Sequence, residues 1–518
     1  MVKVRIPCFS VVLSANVVAV SPGGSIPQAP LCNRCHQLSN HSNGAPITHP
    51  SILSLQEIVA ASPFKYNHIY HVLDAADFPL SLIPNLQQQF ALNAQRSRNR
   101  RAKLSTFHRG KLQDVTFIIT RSDLLAPQKE QVDRLMPQLV QILRDALGSA
   151  AENARLSNVR CVSAKRGWWT PQLKEDIWRR GGGCWMVGKA NVGKSNLVES
   201  VYPKGRSHIQ EDAFALTNRT VKTPSTFQES DSSGTASDLR SITHVTRPKA
   251  LDNSVLPPSP IETNYPVLPL VTSMPGTTAA PIRLPFGNGS GELIDLPGLN
   301  RGNLDTYVRD DHKTDMIMLR RPKPQSLSIK PGYSLLVGGL ILIKCLTPEV
   351  TLLARPFLPI GCHAGKAEKM DSILHQTTAV SSYSIAKSKA KEQMMCAGRY
   401  AMKWDVTKQR AGPLTRKDAV ALDAQHLPFI IFSLDILIEA CGWIELVAQV
   451  RRKSFEHHLA TCAPDNEEAY PQILITSPEG RHVGVRRPLN ASVLAIKPVV
   501  SARVRPRKSM RGAKRLSK

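Results

Sequence analysis

The sequence predicts an α/β chain, and three observations carry the prediction. Gly188-Lys-Ala-Asn-Val-Gly-Lys-Ser195 fits the pattern Gly-x4-Gly-Lys-[Ser/Thr] without a gap. Cys184-Trp-Met-Val187 before it reads as a buried strand, and Asn196-Leu-Val-Glu-Ser200 after it can open a helix, which is the setting such a loop needs. Two further strand-like runs, His68 to Leu73 and Val115 to Ile119, end in polar residues, and the carboxyl ends of strands are where open α/β sheets hold ligands.

In a loop of this pattern the backbone N–H groups surround phosphate oxygens. Gly188, Asn191, Val192 and Gly193 are the cradle here, Lys194 reaches the β and γ oxygens, and the Ser195 hydroxyl is a ligand for Mg2+. The glycines are needed because a side chain would block the approach of the backbone to the phosphates.

The chain has 518 residues, 42% of them hydrophobic, enough for two or three domains with their own cores. Its formal charge of +27 calls for an acidic partner, with RNA or an anionic membrane surface as the two physical candidates. Ten scattered cysteines argue against a disulfide framework and for a reducing compartment. No run of 18 apolar residues occurs, since the richest, Leu335 to Ile343, carries two glycines between Ser334 and Lys344; no transmembrane segment is expected.

From Met1 to Gln56 there is no acidic residue, and Lys3 and Arg5 stand near the start. Residues 1–30 therefore read as a leader resembling a mitochondrial transit peptide, with a secretory signal or a plain unstructured leader as the competing readings. Residues 31–66 hold Cys32-Asn-Arg-Cys35-His36 with His41 and His49 beyond it. Thiolate and imidazole suit tetrahedral Zn2+, but a structural site needs four ligands, so Cys32 and Cys35 are either half of a zinc knuckle or a reduced pair. Between Gln89 and Lys111 lie Arg96, Arg98, Arg100, Arg101, Lys103 and Arg109, a cluster that could grip RNA phosphates or form a solvated helix face.

The strand Val115 to Ile119 delivers Thr120-Arg-Ser-Asp123. A guanine site carries [Asn/Thr]-Lys-x-Asp at such a place, because a carboxylate accepts from the guanine ring N–H and exocyclic amine and adenine offers no such donor pair. Arg121 replaces the usual lysine and alters the surface beside the base. Taken alone, Asp123 also fits a loop residue or a helix cap. A helix is expected over about Lys129 to Leu147, then a strand Val159 to Val162 ending in Ser163-Ala164-Lys165, whose backbone would meet the guanine oxygen.

After a helix around Pro171 to Trp178 and the Gly188–Ser195 loop, residues 205–264 are rich in Ser, Thr and Pro and read as a disordered insertion. Pro275-Gly-Thr-Thr278 follows, whose Thr278 can complete a Mg2+ shell when a γ-phosphate is present. Glu292-Leu-Ile-Asp295-Leu-Pro-Gly298 then gives a strand and an Asp-x-x-Gly turn, with Asp295 as a Mg2+ holder and the Gly298 N–H as a γ-phosphate sensor.

These motifs together imply a guanine nucleotide as ligand, and their order is informative. A Ras-like domain runs phosphate loop, mobile threonine, Asp-x-x-Gly, base motif, Ser-Ala-Lys; here the last two come first. The expected fold is a circularly permuted Ras-like P-loop GTPase domain over residues 67–320, followed by an α+β C-terminal module over 321–500 and a basic tail over 501–518. Lys194, Thr278 and Gly298 are the residues expected to act on the γ-phosphate. Leu299 stands where Ras-like enzymes place the glutamine that orients water, so slow intrinsic hydrolysis is expected.

The permuted order, the Cys-x2-Cys pair and Asp74-Ala-Ala-Asp77-Phe resemble the YqeH-like GTPases, and within them the fungal mitochondrial genetic-interactor-of-prohibitins family. The likeness continues through Lys330-Pro-Gly-Tyr-Ser-Leu-Leu-Val-Gly-Gly-Leu340, Trp404-Asp-Val-Thr-Lys408, Gly412-Pro-Leu-Thr415, Asp435-Ile-Leu-Ile-Glu439, Gly442-Trp-Ile-Glu-Leu446 and Arg505-Pro-Arg-Lys-Ser509. It implies a mitochondrial location and a part in assembly of the small ribosomal subunit, with its rRNA or ribosomal proteins as partners. The alternative it implies is a GTP-binding scaffold associated with the inner membrane and lipid metabolism. Asn191 resembles the asparagine that holds K+ in potassium-activated relatives. In the C-terminal region, Ser334 to Ile343, Phe429 to Ile438 and Gln472 to Thr476 read as strands. The tail, with Arg503, Arg505, Arg507, Lys508, Arg511, Lys514, Arg515 and Lys518, holds no acid and suits RNA or plain solvation.

Overall fold

The computed structural model describes residues 49–84, 86, 112–148, 158–203, 256–263, 266, 268–269, 271, 278–348, 350–377, 384–411, 424–461 and 467–494. Outside them lie the 1–30 leader, Cys32 and Cys35, the arginine-rich window, most of the 205–264 stretch, Pro275 to Thr277, Gly412 to Thr415 and the basic tail. Among the described residues the chain is a mixed α/β protein with three sheets. It divides into two compact units, one built from Met1–Asp74, Ser81–Thr120 and Leu147–Arg301, the other from Ala75–Leu80, Arg121–Ala146 and Gly302–Lys518.

The first unit holds a six-stranded sheet in the order β3-β2-β1-β4-β6-β5. Its strands are β1 (Tyr66–Asp74), β2 (Leu112–Thr120), β3 (Val159–Cys161), β4 (Gly182–Val187), β5 (Ile282–Phe286) and β6 (Gly291–Asp295). All neighbours are parallel except β5 with β6. Strands earlier in the chain lie on one side of β4 and later ones on the other, so the carboxyl end of β4 is a switch point of the sheet.

Both faces are apolar, as expected of strands covered on two sides. Leu55, Ile58 and Val59 of helix α1 (Ile52–Ala60) pack with Ile69, Trp185, Ile294 and Leu299 on one face. Leu173 and Ile177 of the helix Thr170–Arg180, and Leu197 and Val201 of the helix Lys194–Val201, pack with Tyr70, Met186 and Leu293 on the other. Alternation along β4 sends Cys184 and Met186 to one side and Trp185 and Val187 to the other. Ser51 caps α1 by accepting from the Ser54 N–H at 3.1 Å, a bond worth about 1 kcal/mol.

Residues 256–263, which fall within the stretch 205–264, are bonded to this sheet. Arg283 donates to Glu292 and to the Pro257 carbonyl at 2.8 Å, Ser259 donates to Glu292 at 2.6 Å, and Glu262 accepts from the Asn288 and Gly289 N–H groups at 3.1 Å. Polar side chains scattered among prolines here serve as ties to the β5–β6 edge, which composition alone does not reveal.

The second unit is antiparallel. One sheet sets Trp404–Asp405, Phe429–Ile438, Gly442–Arg451, Leu352–Phe357 and Leu327–Ile329 side by side in that order, with Val483–Arg486 also on Phe429–Ile438; the other runs Cys362–Lys366, Tyr333–Val337, Ile341–Cys345, Gln472–Pro478 and Met394–Ala401. Phe429–Ile438 is a single strand, as its apolar run predicts, whereas Ser334 to Ile343 is a hairpin of Tyr333–Val337 and Ile341–Cys345. Gly338 and Gly339, at φ 55° and 72°, make the turn. The last segment of this unit starts at Gly302, and the short turns after it bury Leu304, Tyr307, Val308 and Met316 in its core. No helix among the described residues is long and apolar enough to cross a membrane.

Candidate functional site

Gly188–Ser195 joins β4 to the helix Lys194–Val201 at the switch point of the sheet. A Cβ on Gly188 would stand 2.6 Å from the Val72 carbonyl oxygen, and Gly193 turns into the helix at φ 84°, so the two glycines of the motif are required sterically. Asn191 is left-handed at φ 57°, a conformation asparagine tolerates better than most residues.

Lys194 folds over this loop and donates to the Gly188 and Lys189 carbonyl oxygens at 3.2 and 2.8 Å. Burial lowers its pKa to about 8; Asp295 opposes the shift and Arg301 adds to it. The helix thus opens with a buried lysine whose charged form is disfavoured by desolvation.

Ser195, Thr278 and Asp295 converge beside it, although 83 and 100 residues of chain separate Ser195 from the other two. Ser195 Oγ donates to Asp295 Oδ2 at 2.7 Å, Thr278 Oγ1 donates to the same oxygen at 2.9 Å, and the two hydroxyls are 3.0 Å apart. Asp295 ends β6 fully buried, and its other oxygen, Oδ1, has no hydrogen-bond partner. Burial raises its pKa, against the pull of Lys194 and the two hydroxyl donors. A buried carboxylate with an unsatisfied oxygen beside two hydroxyls is a donor set for a hard, oxygen-seeking cation such as Mg2+. Among the described residues no group of three or more His, Cys, Asp or Glu could hold a metal.

The Asp-x-x-Gly turn is bound to the loop. Ala190 N–H donates to Leu299 O at 2.8 Å and Leu299 N–H to Gly188 O at 3.2 Å. A Cβ on Gly298 would lie 2.7 Å from Ala190 Cα and 3.0 Å from Lys194 Nζ, which places this glycine against the lysine. Leu299 turns into the apolar cluster under α1.

Thr120 also meets the loop, its Oγ1 lying 2.6 Å from Val192 O and 2.9 Å from Leu73 O. Asp123 sits in the 3-10 turn Ser122–Leu124 that follows β2 directly, and Arg121 before it is left-handed at φ 53° and donates to the Met318 carbonyl at 3.3 Å. Ser163 pairs with Trp168 through two backbone bonds, its Oγ accepting from Arg166 N–H at 3.2 Å, so Ser163, Ala164 and Lys165 form a closed turn after β3. Asp123 belongs to the second unit and this turn to the first.

Arg301 and His49 enter the site without a motif to announce them, and Asp74 enters it from the Asp74-Ala-Ala-Asp77-Phe segment. Arg301 donates through Nη1 to Asn191 O at 3.0 Å and through Nη2 to Asp74 Oδ2 at 2.7 Å, both side chains being buried. His49, of interest in the sequence only for its imidazole, has Nδ1 2.8 Å from Gly298 O. Asp74 at the end of a buried strand was the available signal, since a buried carboxylate demands a cation. Compared with known proteins, the chain matches no protein-family model and no curated protein.

Proposed function

We propose that residues 67–320 hold a circularly permuted Ras-like P-loop domain that binds GTP with Mg2+ and hydrolyses it slowly. The observation that carries the reading is the convergence of Ser195, Thr278 and Asp295, with an unsatisfied buried carboxylate oxygen, beside Lys194 at the switch point of a parallel sheet. Counted from β4, the strands and their motifs follow the order phosphate loop, threonine, Asp-x-x-Gly, base motif, Ser-Ala-Lys, which supports the permutation.

Within this reading Ser195 and Asp295, joined by Thr278, hold Mg2+, which when bound neutralises charge on the β and γ oxygens. Lys194 exchanges its two carbonyl partners for phosphate oxygens, and the Gly298 N–H meets the γ-phosphate. Asp123 selects guanine. Leu299, committed to the core, leaves hydrolysis slow. The basic charge of the whole chain and the resemblance to ribosome-assembly GTPases support a part in building the mitochondrial small ribosomal subunit.

The test is titration of the purified full chain with fluorescent GTP and ATP analogues in the presence and absence of Mg2+, followed by cross-linking to RNA in mitochondrial extracts. Tight Mg2+-dependent GTP binding with ATP at least 100-fold weaker is expected, as about 3 kcal/mol of base discrimination would give. Equal affinity for ATP defeats the role of Asp123. Recovery of membrane lipids or inner-membrane proteins without small-subunit rRNA defeats the assembly role.

A further inference from the structure

We infer that His49 is a catalytic residue of this hydrolysis, holding the attacking water and taking its proton at Nε2; the inference rests on the GTPase reading above.

The ring is fixed by one bond whose chemistry decides its tautomer. Nδ1 lies 2.8 Å from the Gly298 carbonyl oxygen. A carbonyl oxygen only accepts, so Nδ1 carries the proton, and in the neutral imidazole Nε2 is then a lone pair free to accept from water. Gly298 is the residue whose built Cβ comes within 3.0 Å of Lys194 Nζ, so the residue that anchors the ring borders the lysine.

The position is supported from the other side as well. His49 stands two residues before Ser51, the cap of α1, and α1 packs through Leu55, Ile58 and Val59 into the cluster that also holds Leu299. The side chain that occupies the glutamine position is therefore turned into the core, and the same packing brings an imidazole to the peptide on its amino side. One group is withdrawn from the water and another is delivered beside the same turn.

In the step itself the water oxygen bonds to the γ-phosphorus as the bond from that phosphorus to the β,γ-bridging oxygen breaks. The electron pair leaves on GDP, the proton from water passes to Nε2 of His49, and inorganic phosphate departs; the imidazolium then returns its proton to solvent. A positioned base of this kind is worth on the order of 10²-fold in rate.

The experiment uses the full chain and its His49→Ala variant, with a fluorescent GTP analogue for affinity and single-turnover release of inorganic phosphate for chemistry. His49 is exposed, so thermal unfolding of the variant should match the wild type. The expected result is GTP affinity within twofold of wild type, phosphate release lower on the order of 10²-fold, and partial recovery with added imidazole, which a purely structural loss would not show. Release by the variant equal to or faster than wild type, with GTP bound normally, overturns the role of His49 and leaves the nucleotide reading standing. GTP bound by a wild-type chain that releases no phosphate does the same. A wild-type chain that binds no GTP overturns both.

Discussion

Arg301 Nη2 lies 2.7 Å from Asp74 Oδ2, and these two buried residues are also the last of the first unit at two places where the chain passes into the second. Arg301 is followed by Gly302 and Asp74 by Ala75. The same guanidinium holds the Asn191 carbonyl at the apex of the loop, and Thr120, the residue at a third crossing, lies on the neighbouring Val192 carbonyl. The loop is thus tied to the ends of the strands that lead out of the unit. Replacing Arg301 by Leu takes the guanidinium away from the buried Asp74 carboxylate, and a loss of about 3–5 kcal/mol is expected in urea unfolding. The double variant Asp74→Leu with Arg301→Met removes both charges and should recover most of that stability. It still leaves the Asn191 carbonyl without its donor, so nucleotide affinity should stay below wild type; full recovery of affinity would show that the tie to the loop has no part in binding.

Asp295→Asn tests the cation site. The amide keeps the volume and can still accept from the Ser195 and Thr278 hydroxyls, but it cannot neutralise a divalent cation. Mg2+ should lose most of its effect on GTP affinity in a titration of the variant, with the metal-free affinity near that of wild type. Because the wild-type carboxylate is buried with a raised pKa, removal of its charge should also hold or raise the thermal stability of the free protein. A variant that is both less stable and still Mg2+-dependent would count against the assignment of these three residues as metal ligands.

How much of this was legible in the sequence depends on whether the signal was local. The helix Lys129–Leu147 and the strand Phe429–Ile438 follow from periodicity and apolar runs within one element. Ser195, Thr278 and Asp295 were legible across 100 residues because each carries its own motif. The Arg301–Asp74 pair, 227 residues apart, has no local pattern; it exists because the carboxyl end of β1 lies beside β4 in the sheet, and sheet order is a long-range property. The hairpin at Gly338–Gly339 was written in the sequence but hidden by the apolar residues on both sides.

Nucleotide affinity should fall with rising pH, and the sign follows from Lys194. Burial holds its pKa near 8 in the free protein, below the usual 10.5. Phosphate oxygens favour the ammonium, so the bound state has a higher pKa than the free one. Above about pH 8 the free protein must take up a proton to bind, and affinity should drop by up to about tenfold per pH unit until the bound-state pKa is reached. Fluorescence titrations between pH 7 and 10 read this directly. Lys194→Ala, which has no ammonium to protonate, should bind weakly at every pH, and a flat profile in the wild type would mean that Lys194 does not meet the anion.

Acid should destabilise the first unit earlier than its carboxylates alone would cause, because of His71. This residue is fully buried on β1, its Nε2 accepts from the Ile83 N–H at 3.3 Å, and its Nδ1 has no partner. Burial, aided by the charge of Lys189, lowers its pKa from 6.5 to about 3. The unfolded chain binds a proton there below pH 6.5 while the folded one stays neutral down to about pH 3, so stability is full above 6.5 and declines as pH falls, by up to about 1.4 kcal/mol per pH unit. His71→Asn offers the Ile83 N–H an acceptor and has nothing to protonate. Urea unfolding of the two proteins at pH 7.5 and at pH 5 should show the wild type losing about 2 kcal/mol more than the variant between those values, the slope above summed over the 1.5 units below pH 6.5. Equal losses would mean that the imidazole is hydrated or charged in the folded protein, and the buried neutral ring on β1 would have to be abandoned.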